Sequence, residues 1–298
     1  MTEIDLLPDA TAMGPVRLKT ANVAPLVEWY TTGVGLGVLA ERREPGGSVV
    51  ELGVGGRTLV VIEEAPGLRG PDPAEAGLFH TAILYPDAAS VAAAVVRLSR
   101  MPGIRFAGTG DHHVSQAFYF ADPDGNGVEL YVDRPRETWR WSGDRVFMTT
   151  EYIDPSAFVR EHLPTGAFDG QPQVAAGAPV DAVVGHVHLQ VGDVATARDF
   201  YVDALGFAET ASLGSTAVFV SAGGYHHHMA MNVWNSRGAG RRADTLGLGR
   251  VDIVVPDADA VGAARERLAA RGVAVADDGR GIRVEDPWAN VISLAPAS

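Results

Sequence analysis

Cysteine is absent from the 298-residue sequence, which excludes disulfides, thiolate metal sites and a thiol nucleophile. Any metal would have to sit among histidine and carboxylate side chains. Long apolar runs are also missing. None approaches the roughly 18 residues of a membrane span, and the opening MTEIDLLPDA is acidic where a targeting peptide would be basic. No membrane contact and a cytoplasmic location are therefore expected. Positive charge is scarce: 24 Lys and Arg stand against 37 Asp and Glu, and the net −13 argues against nucleic-acid binding. No P-loop or Ser–His hydrolase elbow is found, and GVGLG and GVGG lack the strand–helix context of a dinucleotide fingerprint. With 46% hydrophobic and 20% charged residues, the chain reads as globular and long enough for two domains.

What is present is an internal repeat. Four segments share one pattern: a short strand, a turn with Asp or Asn, an amphipathic helix, then three strands. The first opens with VRLKTANVAPLVEWY and runs to about Glu64. The second opens with FHTAILYPDAASVAAAVVRL and ends on FYFADPDGNGVELYV. A third runs from HVHLQVGDVATARDFYVDALGF to HHHMAMNVW, and the fourth from RVDIVVPDADAVGAARERLAARG to RVEDPWANVISL. Asn22, Asp87, Asp193 and Asp257 suit the N-caps of the four helices. Val194, Ala197, Tyr201 and Leu205 fall on one helical face, as do Val261, Ala264 and Leu268 before a stop at Gly272. The expected fold is α+β, four βαβββ modules whose mixed sheets pair into cup-shaped barrels. The expected division is 12–135 for modules one and two, a connector over 136–180, and 181–298 for modules three and four.

The nine histidines are unevenly spread. Modules one and four have none, His162 lies in the connector, and the other eight lie in modules two and three. Aligning Asp87 with Asp193 sets His80 opposite His186, each on a first strand. The same register puts Pro15 and Arg250 at that position in modules one and four. Aligning DPDGN with DPWAN sets Glu129 against Ser293. Two first-strand imidazoles and one last-strand carboxylate make the facial set that suits non-haem Fe(II), with positions left open. The same ligands also suit Mn(II), Ni(II) or Zn(II). Glu129 is the only carboxylate in VELYV, and a charge in such a strand is costly unless it is paired or ligating.

The repeat, with HHVSQAFYFADPDGNGVELY, resembles the vicinal oxygen chelate superfamily, and within it the extradiol, catechol-2,3-dioxygenase-like enzymes, over nearly the whole chain outside the connector. The resemblance implies an Fe(II) enzyme that opens a catechol ring with dioxygen, its partners being a small aromatic diol and dioxygen. It implies His80, Glu129 and His186 as metal ligands. Tyr119, ten residues before Glu129, matches the family's active-site tyrosine, and His112 or His113 its nearby histidine, His112 being preferred. HHMAM matches the acid–base histidine with His227 in the role. His226 and His228 remain open as alternatives, or as a fourth ligand. His113, His188 and His228 are expected to contact substrate, and the loops around 65–77 and 235–247 to select it.

In the familiar two-domain enzymes, modules three and four build the catalytic half. Here Arg250 and Ser293 stand where ligands should be. Module two is therefore expected to pair with three, and one with four, within a chain or across subunits of a homo-oligomer. A glyoxalase-like metal-dependent lyase or isomerase, or a non-catalytic ligand-sequestering protein, is the alternative function.

Overall fold

Each module's helix begins at a capping side chain just after the first strand. Asp87 accepts from the Ser90 amide at 2.7 Å, Asp193 from Thr196 at 2.8 Å, Asp257 from Ala260 at 2.8 Å, and Asn22 from Ala24 at 3.3 Å. These bonds satisfy amides that a helix start leaves without an intrahelical partner. The computed structural model describes residues 6–163 and 181–297; part of the expected connector, 164–180, lies outside them. Module one contains β1 (Ala12–Thr20), α1 (Val23–Glu28), β2 (Gly37–Glu44), β3 (Gly47–Val54) and β4 (Arg57–Glu64). Module two contains β5 (Gly77–Leu84), α2 (Ala88–Ser99), β6 (Arg105–Asp111), β7 (Ser115–Ala121) and β8 (Gly127–Asp133). The connector forms a short hairpin, β9 (Trp141–Ser142) and β10 (Arg145–Val146), and the helix α3 (Pro155–His162). Module three has β11 (Val183–Gln190), α4 (Val194–Arg198), β12 (Ala208–Ser212), β13 (Ala217–Ser221) and β14 (Met229–Asn232). Module four has β15 (Gly247–Val255), α5 (Ala258–Ala270), β16 (Val275–Asp277), β17 (Ile282–Glu285) and β18 (Val291–Pro296).

The modules join into two eight-stranded mixed sheets. One runs β16-β17-β18-β15-β1-β4-β3-β2 and the other β12-β13-β14-β11-β5-β8-β7-β6. Module four thus pairs with one, and three with two, inside a single chain. The first strands form each seam, antiparallel: β15 against β1, β11 against β5. One apolar core runs through all four modules, holding Leu18, Ile83, Leu130, Leu189, Val251 and Leu294.

Two devices recur at the module ends. In DPDGN, Asp122 accepts from the Asn126 amide at 2.9 Å and the Asn126 side chain at 2.8 Å. Asp286 of DPWAN does the same with Asn290 at 2.8 and 2.9 Å. The chain then turns into the last strand with Gly125 at φ 95° and Ala289 at φ 65°. The short helices α1 and α4 each continue into a π-helical turn, Trp29–Val34 and Asp199–Ala204. These turns carry Tyr30 and Tyr201, whose buried hydroxyls donate to Asp122 at 3.4 Å and Asp286 at 3.0 Å. The wider turn is a local departure from the regular helix that the 3.6-residue spacing predicts.

The β1–β15 seam carries charges in place of histidines. Arg17 pairs with Glu63 at 3.0 Å and with Asp252 at 3.7 Å, Arg250 pairs with Asp252, and the Ser293 hydroxyl donates to Asp278 at 3.1 Å.

Candidate metal centre

Strand alternation sorts the second sheet into two faces. Ile83, Val128, Leu130, Val187 and Leu189 enter the core, while His80, Ala82, Glu129, Tyr131, His186 and His188 lie on the other face. Ala82 is the cross-strand neighbour of both Glu129 and His186, so a small side chain lies between two large ones. Beneath His80 the backbones come close. A side chain on Gly127 would place its Cβ 2.1 Å from the Phe79 carbonyl and 3.0 Å from the His80 Cβ, so only glycine fits there.

Three donor atoms converge on this face. His80 Nε2 is 3.0 Å and His186 Nε2 3.1 Å from Glu129 Oε2, and the two nitrogens are 3.4 Å apart. All three residues are buried. At metal–ligand bonds of about 2.1 Å, atoms at adjacent octahedral or tetrahedral positions lie about 3.0–3.4 Å apart, so this donor set fits one divalent cation. The group holds these three residues and no fourth histidine or carboxylate among the described residues.

The local electrostatics favour a charged Glu129 carboxylate and a lowered His186 pKa. Burial pushes the Glu129 carboxyl upward, but the charge and hydrogen bonding of His186 and His80 outweigh it and hold it well below the carboxylate range. Burial lowers His186 to about 4, against the pull of Glu129. Burial likewise holds His188 and His227 well below the usual histidine value, reinforced by neighbouring imidazoles. The His186 Nδ1 is buried without a hydrogen-bond partner, whereas a ligating histidine commonly donates its second N–H.

The triad lines a cavity of about 1150 Å³. Tyr119 faces Glu129 across the β7–β8 pair, and its hydroxyl lies 2.7 Å from His112 Nε2. His112 Nδ1 lies 2.7 Å from the Thr149 carbonyl, which can only accept, so His112 carries its proton on Nδ1 and the tyrosine donates to Nε2. Burial, then the Glu129 charge, hold the Tyr119 hydroxyl well above its usual value, so it stays protonated. His188 lies across the seam from His80 and accepts from the Asn232 side chain at 3.0 Å. His227 is on the cavity wall, its ring centroid 4.1 Å from that of His186.

Two histidines expected to contact substrate are turned away. His228 is not on the wall: its Nδ1 accepts from the Ala222 amide at 3.2 Å and meets the Ser221 hydroxyl at 3.0 Å. His113 has a left-handed backbone, φ 66°, that aims its ring outward to Glu151 and Arg140. His226 is fully buried behind His227, against Asp133. The linkers before β5 and β15 do reach the cavity, through Pro71–Gly77 and through Asn235, Arg242 and Thr245–Leu248. The connector supplies wall residues that the sequence reading missed, Phe147 and Met148 among them. The signal was WRWSGDRVFM, two apolar stretches around a Ser-Gly-Asp turn, which is a hairpin pattern. Phe79, Phe219 and Trp234 complete an aromatic surround.

Residues 12–130 and 183–294 match the family described as the Glyoxalase/Bleomycin resistance protein/Dioxygenase superfamily. The chain is 34% identical over 281 residues to the catechol-2,3-dioxygenase of Bacillus subtilis (strain 168), covering 93% of this chain and 94% of that one. A biphenyl-2,3-diol 1,2-dioxygenase of Rhodococcus globerulus is 36% identical over 93 residues, 30% of this chain and 48% of that one. Among solved structures, glyoxalase I from Zea mays superposes with a TM-score of 0.59 at 15% identity, covering 96% of this chain and 92% of that one, a likeness of fold. The repeated modules, the paired sheets and these matches lead to one conclusion: the chain belongs to the Glyoxalase/Bleomycin resistance protein/Dioxygenase superfamily.

Proposed function

We propose that the chain is an Fe(II)-dependent extradiol dioxygenase that opens the ring of a catechol-type substrate with dioxygen. The observation that carries this reading is the convergence of His80, Glu129 and His186 at 3.0–3.4 Å on the wall of a cavity with aromatic sides. The near full-length similarity to a catechol-2,3-dioxygenase supports the choice of chemistry.

His80, Glu129 and His186 would hold the ion. An iron(II) ion bound there would supply a shared coordination sphere for diol and dioxygen, making their encounter intramolecular. The protein's own groups handle protons and position. His227 takes a proton from one diol hydroxyl and returns it as the ring opens, a role that suits a neutral imidazole. Tyr119 donates a hydrogen bond to His112, so its oxygen is left to accept from the substrate, and the hydroxyl can turn to donate as negative charge develops. Phe79, Phe147, Phe219 and Trp234 provide apolar surface for the ring and displace water from around the reacting oxygens.

Oxygen uptake and the yellow ring-opened product, followed with catechol and the anaerobically Fe(II)-loaded protein, test the reading. Stoichiometric uptake is expected with iron. Turnover of a thiohemiacetal-type substrate with Ni(II) or Zn(II) and no oxygen uptake would replace it with a lyase or isomerase. Failure to bind any of these metals would leave a ligand-sequestering protein.

A further inference from the structure

Behind His227 a chain of buried polar groups leads away from the cavity. His227 Nδ1 lies 2.8 Å from His226 Nδ1, and His226 Nε2 lies 3.0 Å from Asp133 Oδ1. The Tyr225 hydroxyl donates to the same Asp133 oxygen at 3.3 Å and is 2.7 Å from the Tyr131 hydroxyl. His226 is fully buried, while Asp133, at the end of β8, is about a quarter exposed. Two Nδ1 atoms facing each other at 2.8 Å cannot both accept or both donate, so one carries the proton.

The carboxylate decides which. An ionised Asp133 can only accept, so the His226 proton sits on Nε2. With one proton on the His226 ring, held at Nε2, its Nδ1 is bare and accepts from His227, so the His227 proton sits on Nδ1. His227 is left with Nε2 unprotonated, and that nitrogen has no hydrogen-bond partner among the described residues. We infer that Asp133 and His226 are positioning residues that fix His227 as the Nδ1–H tautomer, leaving Nε2 as the nitrogen able to take a proton from a ligand in the cavity.

The surroundings hold this order in place. Thr210 donates to the His226 carbonyl at 2.6 Å, and the His226 ring packs against both Tyr225, with centroids 4.1 Å apart, and Trp139, at 5.2 Å. The third member of the run, His228, is committed to Ala222 and Ser221 and cannot substitute. The assignment explains why a histidine pair, and not a single histidine, fills this place: one ring meets the cavity and the other relays the preference of the carboxylate. The acid–base task it serves rests on the ring-cleavage reading above, but the tautomers do not.

The test is long-range nitrogen–proton NMR of the histidine-labelled full chain, metal-free and loaded with diamagnetic Zn(II), which reads each tautomer without turnover. His226 is expected as Nε2–H and His227 as Nδ1–H in both states. The variant His226→Phe keeps a ring packed against Tyr225 and Trp139 and removes both nitrogens. It is expected to shift His227 toward Nε2–H and, in the iron-loaded enzyme, to lower kcat on catechol about a hundredfold while KM and metal stoichiometry stay near wild type. Finding His227 as Nε2–H in the wild type, or an unmoved tautomer and kcat in the variant, would overturn the inference. Should the tautomers be as stated and catechol remain untouched, the relay stands and the ring-cleavage reading falls.

Discussion

Nε2 of His80 and Nε2 of His186 face each other 3.4 Å apart across the β5–β11 seam, and one oxygen of Glu129 lies within 3.1 Å of both. Three buried donor atoms thus converge on one point from three strands. A divalent cation satisfies all three donors at once. Metal binding is therefore expected to stabilise the fold. At metal concentrations a hundredfold above Kd the gain is about 2.7 kcal/mol, read as a rise in the thermal midpoint that chelator reverses. An unchanged midpoint at saturating metal would contradict it.

Tyr119 lies beside Glu129 in the β7–β8 pair, with its hydroxyl proton directed to His112. Tyr119→Phe keeps the ring and removes the hydroxyl that, in the proposed mechanism, would turn to donate as negative charge develops on the substrate. A fall in kcat of about 10²-fold or more is expected, as for loss of a charge-stabilising donor, with bound metal unchanged. Equal turnover by the variant would remove Tyr119 from the mechanism.

His228 makes stability depend on pH. Its Nδ1 accepts from a backbone amide, and burial lowers it from 6.5 to about 3. Unfolded, it takes up a proton below pH 6.5; folded, it does not until about pH 3. Its contribution is complete above 6.5 and lost as pH falls toward 3. At pH 5 the loss is about 2 kcal/mol relative to neutrality. His228→Asn supplies an amide oxygen in place of Nδ1 and should flatten the dependence of the urea midpoint between pH 7 and 5. An identical slope in both proteins would show that other groups set it.

Ala289 occupies a left-handed position that Gly125 fills in the equivalent turn of module two. A β-carbon there costs about 1–2 kcal/mol, so Ala289→Gly should raise the denaturation midpoint by roughly 1 kcal/mol equivalent, less the entropy of the added glycine. Destabilisation by this change would mean that packing of the alanine methyl outweighs the strain.

Much of this architecture is legible in the repeat. The caps Asp87 and Asp193 fix the register that brings His80 and His186 to equivalent places, and DPDGN fixes Glu129 three residues beyond its turn. The unusual partnering of modules two and three also follows from residues, because Arg250 and Ser293 offer no ligand set to module three. Illegible were features set by single backbone torsions or by long-range approach. His113 is turned outward by one positive φ, and His228 is drawn to an amide six residues earlier in the chain. Phe147 enters the cavity wall from a connector whose local pattern carries no register with the modules.

In the proposed reading Glu129, and not its module-four counterpart Ser293, completes a metal site with His80 and His186. Metal stoichiometry of Glu129→Ala and Ser293→Ala, after anaerobic iron loading and desalting, tests it most directly. One iron per chain should survive in Ser293→Ala and be lost in Glu129→Ala with the fold intact by circular dichroism. Iron retained at one per chain in Glu129→Ala would contradict the account.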